Sequence, residues 1–235
     1  MTTLRTDLLQ WGGERARIGP WRGERDVSLV VPWPDGPPLS AAFVTRCLEQ
    51  LAAHGCRRVV TGAIAPSEQQ GFLACGFRAI EHLELLTHDL RAIPVSTLIR
   101  TRRASRRHRA PALLIDHRSF DEFWRLDGAG LDDAISATPR ARFRVVADGA
   151  EVVGYSVTGR SGRRGYLQRL AVDPSQRRSG IGSALVLDGL RWLRRWRAAQ
   201  AVVNTQVGND GALALYQRLG FRREPTGLAV LEVGL

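Results

Sequence analysis

Lysine is missing altogether: all 34 basic residues are arginine. A P-loop of the G-x-x-x-x-G-K type needs the lysine that reaches the phosphates, so that class is excluded. Schiff-base and pyridoxal-phosphate chemistry needs a lysine amine and is excluded with it. Cysteine is scarce. Cys47, Cys56 and Cys75 are an odd number with no C-x-x-C pair. That argues against a disulfide framework and for a reducing, cytoplasmic setting, with the thiols acting as small apolar residues. No apolar run approaches the roughly 20 residues of a membrane helix, so no membrane partner is expected. The opening stretch, MTTLRTDLLQWGGERAR, has no apolar h-region, so no signal peptide is expected. Acidic residues are absent from 91–111, RAIPVSTLIRTRRASRRHRAP, which carries seven arginines.

What is present fits a globular chain. The 235 residues suit one large or two small domains, and 44% apolar content can fill a core. Net charge is +11, unevenly placed. Residues 1–90 hold 9 arginines and 10 acids, net −1; 91–111 are net +7; 112–235 hold 18 arginines and 13 acids, net +5. The basic run could attract nucleic acid or another polyanion. No RRM, KH, zinc-finger or helix-turn-helix signature accompanies it, so it reads as a solvated linker or edge segment.

Residues 141–235 alternate clearly between strand and helix. Arg142–Ala147 and Glu151–Thr158 read as strands joined by a turn at Asp148–Gly149. Gly165–Val172 is a third strand, stopped by Pro174. A helix is expected over Ser183–Arg197, with Leu185, Val186, Leu190 and Leu193 on its apolar face. Ala201–Gln206 is a fourth strand and Asn209–Leu219 a second helix, with Ala212, Leu215, Tyr216 and Leu219 at helical spacing. Gly220 sits where a left-handed C′ glycine is expected. Gly227–Val233 makes a last strand. Upstream, Ser119-x-x-Glu122 reads as a capping box opening a helix through Trp124.

Shifting the chain by 144 residues reveals an internal repeat. Gly76-Phe77-Arg78 falls on Gly220-Phe221-Arg222, Arg58–Thr61 on Val202–Thr205, and the helical pattern Leu39–His54 on the helix beginning at Ser183. From Gly36 to Arg78 this register needs no gap.

The loop Gln176–Gly182, QRRSGIG, joins a strand to a helix. Its glycines let backbone approach an anion closely, and the helix start supplies unpaired N–H groups at a positive dipole end. Arg177 and Arg178 add charge. This is a phosphate site in physical terms, but not a dinucleotide fingerprint, because Leu185 occupies the last glycine position.

R-x-x-G-x-G after the strand LQRLAVDP, then a helix, a strand and N-x-x-A-x-x-L-Y-x-x-L-G-F, resembles the GCN5-related N-acetyltransferases, the GNAT family. The resemblance covers about residues 140–223, reaches back to 112, and extends through the repeat to the N-terminal half. It implies an α/β (α+β) fold with a mixed, mostly antiparallel central sheet flanked by helices. It implies acetyl-CoA as cosubstrate, an unidentified amine acceptor, small molecule or protein, and no metal. The acyl-CoA site would lie in a splay between the strand ending near Val172 and that beginning near Ala201. Pantetheine would pair with backbone around Leu170 and Val172, and the pyrophosphate would lie on the amides of Arg177, Arg178, Ser179, Gly180, Ile181, Gly182 and Ser183. Asn209 matches the position that commonly contacts pantetheine, and Asn204 is a further polar candidate. Tyr216 matches the tyrosine that protonates the departing thiolate.

The family's glutamate base has no counterpart here: Tyr166 stands at the corresponding position, with Gln168 nearby. Water, His117, or one of Asp116, Asp121, Glu122 and Asp127 would have to take the proton. In the repeat, Trp33 and Pro34 fall on Arg177 and Arg178, Gly36 on Gly180, Pro38 on Gly182, Ala65 on Asn209 and Phe72 on Tyr216. Prolines have no N–H to give. Residues 1–90 therefore read as a shortened, degenerate GNAT-like unit, 91–111 as the arginine-rich segment and 112–235 as the acyl-CoA-binding catalytic domain. Two other functions stay open: a non-catalytic acyl-CoA-binding regulatory protein, and a nucleic-acid-associated protein using 91–111. Nothing in the sequence sets an oligomeric state.

Overall fold

The computed structural model describes residues 7–22, 24, 26–33, 36–95, 98–149 and 151–235. The chain begins with strands β1 (Asp7–Trp11), β2 (Glu14–Pro20) and β3 (Val27–Pro32), then helix α1 (Ala41–Ala53), β4 (Arg58–Thr61), α2 (Gln70–Ala74) and β5 (Arg78–His88). A two-residue strand β6 (Arg102–Arg103) leads to α3 (Arg109–Ser119) and α4 (Gly128–Ser136). Then come β7 (Arg140–Asp148), β8 (Glu151–Ser161), β9 (Arg164–Val172), α5 (Ile181–Arg195), β10 (Gln200–Gln206), α6 (Asp210–Arg218), β11 (Arg222–Arg223) and β12 (Leu228–Gly234).

Contacts divide the chain into two units. The first contains the residues up to Glu84 together with Pro225–Leu235; the second is Leu85–Glu224. In the first, β1, β2 and β3 form an antiparallel meander, β3 and β4 are parallel, and β12 lies antiparallel between β4 and β5. Its core packs Ile18, Phe43, Leu51, Phe72 and Leu231. Cys47 and Cys56 are buried thiols and Cys75 is half-buried, all three free. In the second unit, β6, β7, β8 and β9 run antiparallel in that order, and β10 joins β9 in parallel. Its helices cover two faces: α5 and α6 bury Leu187, Leu190, Leu193, Val203 and Tyr216, whereas Ala112, Ile115 and Leu131 pack with Tyr155 and Val157. The expected mixed, mostly antiparallel sheet flanked by helices is what forms.

Three local expectations change. The last strand, placed by sequence with residues 112–235, belongs to the first unit, where Ala229, Val230 and Leu231 are buried. The arginine-rich segment supplies an edge strand, one of its two expected forms, since Arg102–Arg103 pair with Arg144 and Val145 at the end of the strand order, but it stops short of 111, because α3 opens at Arg109. Ser119 opens no helix: it ends α3, its hydroxyl donates to the Val172 carbonyl at 3.1 Å, and Glu122–Trp124 is a single 3-10 turn. The apolar residues Ile115 and Ala112 upstream favoured one continuous α3, and Asp127 caps α4 instead, accepting from Gly130 N at 2.7 Å.

The gapless repeat register also shifts. Strand, helix, parallel strand and helix do recur in both units, as β3–α1–β4–α2 and β9–α5–β10–α6. Yet Val172 and Ile181 stand 140 residues after Pro32 and Ala41, not 144. Ser40, not Gly36, therefore occupies the place of Gly180 just before the helix. The last strand, the first helices and the strand ends are set by long-range pairing, which a local match of G-F-R does not encode. Pro34 lies outside the described residues.

Candidate active site

β9 and β10 pair only at Arg164–Gln200, Gly165–Ala201 and Tyr166–Val202. Beyond these, residues 167–172 keep β8 as their partner while β10 runs on to Gln206 without pairing to β9. The two parallel strands therefore open apart. A bulge sits at the opening: Val157 faces Arg169 and Thr158 faces Leu167, leaving Gln168 as the extra residue. Bulges re-aim side chains and raise local twist, which accounts for the divergence. Leu170 and Val172 are half-buried on the opened length of β9, and Asn204 is exposed on that of β10.

The opened strand ends in a tight turn. The Asp173 carboxylate accepts from Ser175 N at 3.0 Å and Ser175 Oγ at 2.7 Å, and pairs with Arg118 at 3.1 Å. The Ser175 hydrogen bonds, with Arg118, hold its pKa below the usual carboxylate range. Ser179 Oγ donates to Gln176 O. Arg178 has φ +62° and Gly180 φ +89°. Left-handed backbone at a non-glycine such as Arg178 costs about 1–3 kcal/mol and concentrates at functional sites. Gly180 precedes α5, whose first internal bond is Ala184 N to Gly180 O at 3.0 Å. The amides of Ile181, Gly182 and Ser183 thus precede the helical ladder and are left for an outside acceptor. The Arg177 and Arg178 side chains are exposed and form no ion pair among the described residues. A Cβ on Gly182 would come within 3.2 Å of Leu215 Cδ2, so this glycine gives α6 close access to α5.

Tyr216 lies on α6, 5% exposed, its ring 5.5 Å from that of Phe221. Its hydroxyl makes no hydrogen bond among the described residues, and burial pushes its pKa well above the ordinary phenol value. It stays a protonated donor at neutral pH. Asn209 is the N-cap of α6: its Oδ1 accepts from Ala212 N at 3.2 Å, which leaves its amide group to face outward.

The base candidates separate cleanly. Asp116 is fully buried and saturated. It accepts from Arg169 Nε at 2.7 Å and Nη2 at 2.8 Å, from Leu126 N at 2.8 Å, and from the Tyr155 hydroxyl. Asp127 is a helix cap and His117 Nε2 is bonded to Leu126 O at 2.8 Å. Asp121 and Glu122 are exposed.

This Asp116–Arg169 pair was not anticipated. Arg169 also donates to Trp124 O at 2.6 Å and stacks on Phe120 at 3.6 Å, tying α3 and the loop after it to β9. The signal was available: an arginine in the apolar strand LQRLAV, buried on both faces, requires a carboxylate partner. A second such cluster joins Asp188 of α5 to Arg142 at 2.6 Å, Arg144 at 3.3 Å and Thr101 Oγ1 at 2.7 Å. Burial alone would raise the Asp188 pKa, but these donors more than offset it and the net shift is downward.

An opened parallel pair, with an amide turn at its mouth and a buried phenol on the next helix, is a combination that comparison with known proteins can test. Residues 110–221 match the acetyltransferase (GNAT) family. The chain is 42% identical over 62 residues to N-alpha-acetyltransferase 30 of Homo sapiens, covering 26% of this chain and 17% of that protein. It is 36% identical over 93 residues to mycothiol acetyltransferase of Amycolatopsis mediterranei, covering 36% of this chain and 31% of that one. The chain thus aligns with less than a third of the length of these curated relatives. Among solved structures, a tandem GNAT protein from the clavulanic acid biosynthesis pathway superposes with a TM-score of 0.69 at 14% identity, covering all of this chain and 85% of that one. At that identity the likeness establishes the fold.

Proposed function

We propose that the chain is an acetyl-CoA-dependent N-acetyltransferase whose second unit carries the site. It would pass the acetyl group directly to an amine in a ternary complex. The observation that carries this is the β9–β10 ladder, which stops after Tyr166 and Val202, with the unpaired amides of 181–183 at the end of the opened strand. The residues fit an acyl-CoA. Opened β9 around Leu170 and Val172 offers backbone to the pantetheine amides, Asn204 and the amide group of Asn209 add donors, and the turn Arg177–Ser183 offers backbone N–H groups and two guanidiniums without an ion pair among the described residues to the pyrophosphate. The curated relatives that parts of the chain resemble are named as acetyltransferases, which supports acetyl as the group moved.

In the reaction, the amine nitrogen attacks the thioester carbonyl, the C–N bond forms and the C–S bond breaks. Tyr216 gives its proton to the departing sulfur, and the phenol recovers one from solvent. The proton lost by the nitrogen goes to water, since Asp116, Asp127 and His117 are committed elsewhere; exposed Asp121 and Glu122 are the carboxylates left to relay it. Rate acceleration then rests on positioning and on backbone N–H near Val172 polarising the carbonyl.

The first unit is read as a degenerate GNAT-like partner. Its α1 start carries its own anion: the Glu14 carboxylate accepts from Ser40 N and, at 2.9 Å, from Ser40 Oγ. Pro37 and Pro38 before it offer no N–H. Incubating the protein with acetyl-CoA and a panel of amines and peptides, with thiol release as readout, tests the proposal. Amine-dependent release is expected. Failure to bind acetyl-CoA at all would refute it, and binding without consumption would leave a non-catalytic acyl-CoA-binding protein.

A further inference from the structure

Three parts of the second unit end together at the start of β9. Arg140 of β7 pairs directly with Arg160 of β8, and Ser161 pairs with Arg164 of β9. Ala199 N donates to Arg163 O at 2.6 Å, and Arg160 Nη1 donates to Trp196 O, which brings in the end of α5. Arg194, Arg195 and Arg197 flank Trp196 there. No acid occurs in 140–147, 159–172 or 189–209. Arg163, Arg164, Arg194, Arg195 and Arg197 are exposed and have no ion pair among the described residues.

The fold accounts for only part of this concentration. Like charges directly opposite on neighbouring strands, as at Arg140 and Arg160, are destabilising. The α5 dipole favours Arg194 and Arg195 in its last turn but not the arginines that come from the strands. At the centre Trp196 keeps 43% of its surface exposed, with the Arg140 and Arg160 guanidiniums 5.2 and 5.9 Å from the ring centroid.

We propose that this face binds single-stranded nucleic acid, its guanidiniums on the phosphodiester backbone and Trp196 against a base. Guanidinium forks match phosphate oxygens bidentately, and an exposed indole is a stacking platform that an acidic protein surface would not use. The face is separate from the acyl-CoA turn: β9 runs from Arg164 to Val172, eight steps of ~3.3 Å or about 26 Å. It stands independently of the proposed acetyl transfer.

The test is fluorescence anisotropy of the full chain with a labelled 20-nucleotide RNA and its DNA counterpart, titrated across salt, with a polyglutamate peptide and anionic vesicles as comparisons. Binding to either oligonucleotide is expected, weakening with salt. The variant R163Q/R164Q/R194Q/R195Q should weaken it at least tenfold and lower the salt slope by about 2–3, at ~0.7 per lost phosphate contact. Trp196→Ala should weaken it about fivefold or more through lost stacking. The quadruple variant should keep the wild-type melting profile, because its four side chains are exposed, and Trp196→Phe, which keeps an aromatic ring under Arg140 and Arg160, should retain most of the binding that Trp196→Ala loses. No oligonucleotide binding, binding only to polyglutamate or only to vesicles, or binding that the quadruple variant leaves unchanged would each overturn the proposal. RNA against DNA preference identifies which strand the face takes.

Discussion

Replacing Asp116 by leucine would leave a guanidinium buried without its carboxylate. Arg169 is 10% exposed at its side chain and Asp116 is 0% exposed, so neither can turn to water. The change also orphans Leu126 N and the Tyr155 hydroxyl. Removing one partner of a buried pair costs about 3–5 kcal/mol. At about 2–4 °C per kcal/mol for a domain of this order, the second unit's Tm should fall by roughly 6–20 °C. Arg169→Leu should cost less, because the remaining carboxylate keeps Leu126 N and Tyr155 as donors. The double variant D116L/R169L should be more stable than D116L alone, since it removes the buried charge together with its partner. Thermal and urea unfolding of the four proteins, with the urea slope held constant, give the coupling. Additive losses, or a D116L midpoint within about 2 °C of wild type, would refute a buried pair that locks α3 and its following loop onto β9.

Tyr216→Phe keeps the ring against Phe221 and removes the proton; turnover at saturating substrates should drop about 10²-fold with acetyl-CoA affinity unchanged in calorimetry. Gly180→Val forces a β-branched residue into φ +89° and should abolish acetyl-CoA binding. Ser40→Val, at the corresponding place in the first unit, should cost about 1 kcal/mol as a lost cap in thermal unfolding and leave that binding intact. Burial, aided by Arg222 at His88 and by Arg107 and Arg102 at His108, holds both histidines below their ordinary pKa. Their neutral forms favour the fold, so stability is complete above the unfolded value of about 6.5 and declines as pH falls below it. The urea midpoint should therefore fall from pH 7 to pH 5, and the variant H88Q/H108Q should show a flatter profile. Burial pushes the Cys47 thiol up to about 12; mass spectrometry after native alkylation at pH 8 should find half-buried Cys75 labelled and Cys47 spared.

Much of the second unit was legible because its signals are local. Strand alternation in RFRVVA, the apolar stripe of α5 and the cap at Asn209 all act over a few residues, and the elements formed within a few residues of their expected ends. What escaped depends on distant partners. Asp116 and Arg169 are 53 residues apart, and neither spacing nor periodicity joins them. The capping box at Ser119 fails because the residues of α3 before it already form a helix. At the candidate site, Arg177 and Arg178 are exposed and the amides of 181–183 precede the α5 ladder, while Asn209 spends its side-chain carbonyl on capping. Gly182 lies close under Leu215, a contact between two helices that no single-helix pattern contains.

The position of β12 has a temporal consequence. A ribosome making this chain completes all of 85–224 before it reaches Leu228, so the first unit waits through more than half of synthesis with β4 and β5 lacking the strand that lies between them. Unpaired edges and uncovered apolar residues such as Val59 and Phe77 invite association with other chains during that interval. The later-made unit is therefore free to close before the first has its last strand. Cells producing a chain that stops at Glu224 should accumulate it with an intact second unit and an unfinished first one.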